Sequence, residues 1–71
     1  MKIEGTLVYV PIEGGFWGIE ASDGRKFKPV DEIPRSLRED GRLIVAEVEP
    51  TNVASFTMWG QNVRLLAINP Q

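Results

Sequence analysis

At 71 residues, 42% apolar and 25% charged, the chain has material for a single core, and its apolar share excludes a disordered tail. The absence of cysteine and histidine excludes disulfides, thiol nucleophiles, Cys/His zinc sites and the usual neutral-pH general base, so no catalytic residue, metal or cofactor is expected. Eight Lys and Arg against ten Asp and Glu leave a net charge of −2, which disfavours nucleic acid unless the cations are gathered on one face.

The N-terminal stretch Met1 to Gly5 has no apolar run of the signal-peptide kind and enters strand-like sequence at once. No membrane association is expected, and a small domain without disulfide staples suits the cytoplasm. Lys2 to Val10 reads as a first strand with Ile3, Gly5, Leu7 and Tyr9 on one face. A glycine within a strong strand marks a bend or bulge, as the long first strand of a small barrel requires.

Pro11 ends that ladder, and Gly14-Gly15 predicts a two-residue hairpin loop. The second strand runs from Phe16 to Ser22, with Trp17, Ile19 and Ala21 on one face and Phe16, Gly18 and Glu20 on the other. Asp23-Gly24 predicts another turn, returning the chain as a third strand from Arg25 to Val30. Asp31 to Gly41 changes character. Acids precede Pro34, Ile33 and Leu37 stand four apart, and Gly41 can close the end, so a helical turn plugging one mouth of the barrel is expected.

Leu43 to Glu49 alternates as a fourth strand, with Ile44, Ala46 and Val48 inward and Leu43 and Val45 covered by the neighbouring segment. The uncharged run Val53 to Trp59 fits either a short strand or an irregular crossing. Val63 to Ile68 is the last strand, and residues 69–71 read as a loose tail. The expected core is Ile3, Leu7, Trp17, Ile19, Phe27, Leu37, Ile44, Val48, Leu66 and Ile68.

A three-stranded meander, a short helical connection and two further strands is the order of the OB-fold, a five-stranded all-β barrel. The blocks Glu13-Gly14-Gly15-Phe16-Trp17-Gly18-Ile19, Gly24-Arg25-Lys26-Phe27-Lys28-Pro29 and Met58-Trp59-Gly60, closing with Val63 to Ile68, resemble a group of small prokaryotic OB-like domains. That resemblance covers nearly the whole chain and implies a fold without an assigned activity. Some members look like lipoprotein domains, but this chain has no cysteine to lipidate.

The candidate ligand-binding residues are Phe16, Arg25, Lys26, Lys28 and Trp59. OB barrels bind single strands across their second and third strands, where an aromatic for stacking and three cations for phosphate are suitable ingredients. The competing reading makes the lysines solvated edge charges and Phe16 a cover for the barrel end. Acidic Glu13 and Glu20 on the same surface favour that competitor.

Trp17 is expected inside and Trp59 is the more exposed of the two indoles. The carboxylates Asp31, Glu32, Glu39, Asp40, Glu47 and Glu49 read as solvated faces and helix-end charge. Ser22, Ser36 and Ser55 lack a histidine to activate them. Sheet edges left by an open barrel offer a route to a partner chain. The sequence thus points to a non-catalytic binding module, monomeric or weakly self-associating. Protein or peptide is its favoured partner, and single-stranded nucleic acid the alternative.

Overall fold

The structure, a computed structural model, describes residues 1–52 and 59–71. Five strands form in chain order: β1 (Lys2–Val10), β2 (Phe16–Ala21), β3 (Lys26–Pro29), β4 (Leu43–Pro50) and β5 (Gln61–Pro70). A 3-10 turn at Arg35–Leu37 stands between β3 and β4. The strands close into a barrel in the order β1-β2-β3-β5-β4, with every pairing antiparallel except β3 with β5. Among the described residues, no helix is long and apolar enough to cross a membrane.

Gly5 is where β1 changes partners. It pairs with Ala21 of β2 on one side and Ile44 of β4 on the other. A Cβ at Gly5 would overlap the Glu20 carbonyl oxygen and stand 2.9 Å from Ala21 Cα, so the close strand approach needs the missing side chain. Residues 2–6 thereby serve β4 while residues 5–10 serve β2.

Both meander turns use left-handed glycines, in loops longer than a two-residue hairpin. Residues 11–15 connect β1 to β2, with Gly14 and Gly15 at φ +89° and +86° and the Gly15 N–H donating to the Ile12 carbonyl at 2.9 Å. Between β2 and β3, the Gly24 N–H donates to the Ala21 carbonyl and the Ala21 N–H to that of Arg25. Gly24 at φ +92° completes a four-residue turn with a bulge.

Ile3, Leu7, Ile19, Ala21, Phe27, Ile33, Leu37, Ile44, Ala46, Val48 and Val63 form the core, with Trp17, Leu65 and Ile68 partly buried against it. Ile33 and Leu37 reach it from either side of the 3-10 turn's start, as a plug over one barrel mouth would. Trp17, near the start of β2, is half-buried against the core rather than interior.

The expected core fails at Leu66, which is 55% exposed. Ala67 pairs with Glu47 and Leu65 with Val48, so Leu66 is an extra residue with nothing opposite it. This bulge reverses the inward phase of β5: Ile68 faces the core on one side of it, and Leu65 and Val63 on the other. Leu43 also departs from expectation: it is 58% exposed instead of covered. Residues 69–70 continue β5 against Val45 and Ile44, and the Gln71 N–H donates to the Leu43 carbonyl at 3.0 Å, so the expected tail is tied into the sheet.

Candidate functional site

Alternation along β2 sends Phe16, Gly18 and Glu20 outward, and alternation along β3 does the same for Lys26 and Lys28. The two strands pair antiparallel, with Glu20 opposite Lys26. Trp59 arrives from the stretch before β5. Gly60, at φ +71°, lies against β3 so closely that a Cβ there would stand 2.9 Å from the Lys26 carbonyl oxygen. This turn lays the Trp59 indole over the outer face of β2.

Gly18 makes room for that indole. A Cβ at Gly18 would overlap Cη2 and Cζ3 of Trp59. The Phe16 and Trp59 rings meet edge to face, centroids 5.6 Å apart and planes at 69°. The Lys28 ammonium lies 4.6 Å from the centroid of Phe16, and the Lys26 ammonium 5.5 Å from that of Trp59. Each cation–π contact at such a partly exposed position contributes about 0.5–1 kcal/mol, and the ring pair a similar amount. The result is a half-buried aromatic pair bearing two ammonium groups.

Four of the five expected residues, Phe16, Lys26, Lys28 and Trp59, are therefore brought together. Arg25 is not. It shares the parity of Phe27, opposite to Lys26 and Lys28, and its guanidinium lies 5.2 Å from the Phe27 ring centroid. There its Nε donates to Asp23 Oδ2 at 2.7 Å and its NH1 approaches the Met1 sulfur at 3.8 Å. A stripe of three cations would need neighbouring residues to share a face, which a strand's two-residue period forbids.

Like Trp17, Trp59 is half-buried, with its ring resting on Gly18. The shaping glycines, Gly18 and Gly60, were not among the expected site residues. For Gly18 the signal was present in the sequence: an isolated glycine within a strand marks a close approach by another group.

A second aromatic pair occupies the barrel end. Tyr9 and Trp17 face each other across β1 and β2, centroids 5.3 Å apart at 66°. Asp40 Oδ1 accepts the Tyr9 backbone N–H at 2.7 Å. Beside Trp17, a shallow recess is lined by Phe16, Pro29, Ile33 and Arg38. The Arg38 Nε donates to the Ile33 carbonyl at 2.7 Å, fixing its guanidinium to the backbone. A larger open groove lies over Gly5, bordered by Glu4, Thr6, Val8, Glu20 and Leu43. Among the described residues, no group of three or more carboxylate side chains is placed to hold a metal ion.

The expected sheet-edge route to a partner meets a closed barrel: each of the five strands has two hydrogen-bonded neighbours. The run Val53 to Trp59, expected as either a short strand or an irregular crossing, lies outside the described residues except for Trp59. Compared with protein-family models, curated proteins and solved structures, the chain shows no significant match.

Proposed function

We propose that the chain is a non-catalytic binding module of OB type whose ligand face is the outer surface of β2 and β3, and whose partner is a protein or peptide. The observation that carries this reading is the convergence of Phe16, Trp59, Lys26 and Lys28 on one surface while Arg25 turns away to Asp23. An aromatic pair with a polar margin supplies contact area at little entropic cost, which suits a peptide or protein surface. Residence in a prokaryotic cytoplasm, as a monomer or weak homo-oligomer, accords with the sequence resemblance and the lack of cysteine.

Single-stranded nucleic acid is the second reading, favoured by the stacking faces of Phe16 and Trp59. Two lysines give little phosphate affinity, with a salt slope of only about −1.4 for a single strand. The net charge of −2 opposes it as well. The deciding experiment is capture from native lysate, with and without nuclease, using the wild type and a Lys26→Glu/Lys28→Glu variant. A protein retained by the wild type, lost by the variant and indifferent to nuclease supports the reading. Nuclease-sensitive capture would replace it with the nucleic-acid reading.

A further inference from the structure

Resting on the binding face just described, we propose that its partner is an extended acidic peptide segment: two carboxylates two residues apart, followed by an aromatic side chain on the same face. Lys26 and Lys28 stand two residues apart on one strand and point the same way, so their backbone spacing is about 6.6 Å. An extended peptide with acids at alternate positions repeats at that same interval. Its carboxylates can meet both ammonium groups at once, and charge complementarity thereby fixes its register.

The aromatic requirement comes from what the ammonium groups now touch. Each lies near a ring, Lys28 on Phe16 and Lys26 on Trp59, so the free protein covers part of its own aromatic surface with cations. A carboxylate that draws the ammonium groups toward itself uncovers the Phe16 and Trp59 rings. A purely acidic ligand leaves those faces wet, and a purely aromatic one must compete with the lysines for them. A ligand carrying both groups meets neither penalty, because one group exposes the surface that the other then covers.

The test is a nuclear magnetic resonance titration of the isotope-labelled wild-type chain, following the Trp59 indole N–H with that of Trp17 as an internal reference. The ligand is an extended peptide with glutamates at its first and third positions and a phenylalanine at its fifth. Three further peptides carry glutamines for the glutamates, alanine for the phenylalanine, or the two glutamates side by side; oligo-dT forms a fifth arm. The parent peptide is expected to shift the Trp59 signal and to bind at least tenfold more tightly than each control. Lys26→Gln/Lys28→Gln should bring it to the level of the glutamine control, whereas Arg25→Gln should leave it unchanged. Equal binding by any single-feature peptide, or tighter binding by oligo-dT, overturns this partner chemistry while leaving β2 and β3 as a binding face. A Trp59 signal unmoved by every peptide and by oligo-dT overturns both.

Discussion

Trp59 sits on Gly18 with its six-membered ring where a β-carbon would otherwise be. The glycine is thus the floor of the aromatic cluster, although it contributes no atom that a ligand would recognise. Gly18→Ala should lift the indole away from β2 and separate it from Phe16. We expect a displaced Trp59 indole resonance and weakened contact with Phe16, at a stability cost of about 1 kcal/mol or less, because alanine in a strand recovers backbone entropy. An unchanged indole environment would contradict the packing of Trp59 on β2.

Gly5 tests the same substitution against a harder neighbour. Here the added Cβ meets the Glu20 carbonyl and the Ala21 Cα, both backbone, so no rotamer change relieves the overlap. Gly5→Ala should force β1 and β2 apart and destabilise by about 1–3 kcal/mol, the usual range for overpacking. Denaturant unfolding of the two alanine variants in parallel checks the contrast. Equal costs would mean that the backbones of β1 and β2 yield as easily as a side chain.

Two leucines separate the core from the bulge. Leu7 is fully buried and Leu66 is 55% exposed. Leu7→Ala should cost about 2–5 kcal/mol through lost burial and the remaining cavity, a large part of a small domain's stability. Leu66→Thr should fall within about 0.5 kcal/mol of the wild type. A large loss at Leu66 would place it inside and remove the bulge.

The Asp23 carboxyl is held below its ordinary value of 3.8, chiefly by the Arg25 backbone N–H, with the Arg25 guanidinium adding to it and together outweighing desolvation. A depressed folded-state value makes the charged form stabilising. That contribution is present above the unfolded-state value and is lost as pH falls through the folded one. Asp23→Asn should therefore remove part of the acid-side decline in melting temperature below about pH 4, and carbon-detected titration of the wild type should show Asp23 ionising below the ordinary aspartate value. Titration at or above that value would contradict the paired geometry at the turn.

Most of the barrel was legible because its cues are local. Alternation marked β1, β2 and β4, while Gly14, Gly15 and Gly24 stand where the backbone turns left-handed. The β5 phase was not legible, because the bulge at Leu66 is defined by what lies across from it on β4. At the site, Phe16, Lys26 and Lys28 followed from strand parity. The same rule, applied strictly, removes Arg25 from the set, since odd and even residues of β3 face opposite ways. The seating of Trp59 needs Gly18 and Gly60 together, two positions far apart in sequence that only the closed barrel brings near one another.

The parallel seam between β3 and β5 also governs how the chain reaches its folded state. Phe27 meets Gln61 across a loop that contains all of β4. The meander can form within microseconds as local hairpins, whereas the seam and the β1–β4 pairing both wait for long loops to close, so closing the barrel is expected to be the slow step. Residues 1–30 and 43–70 are consequently poor candidates for separate folding units. Cut between β3 and β4, each piece would display two unmatched strand edges whose partners belong to the other, and such edges recruit strangers into aggregates.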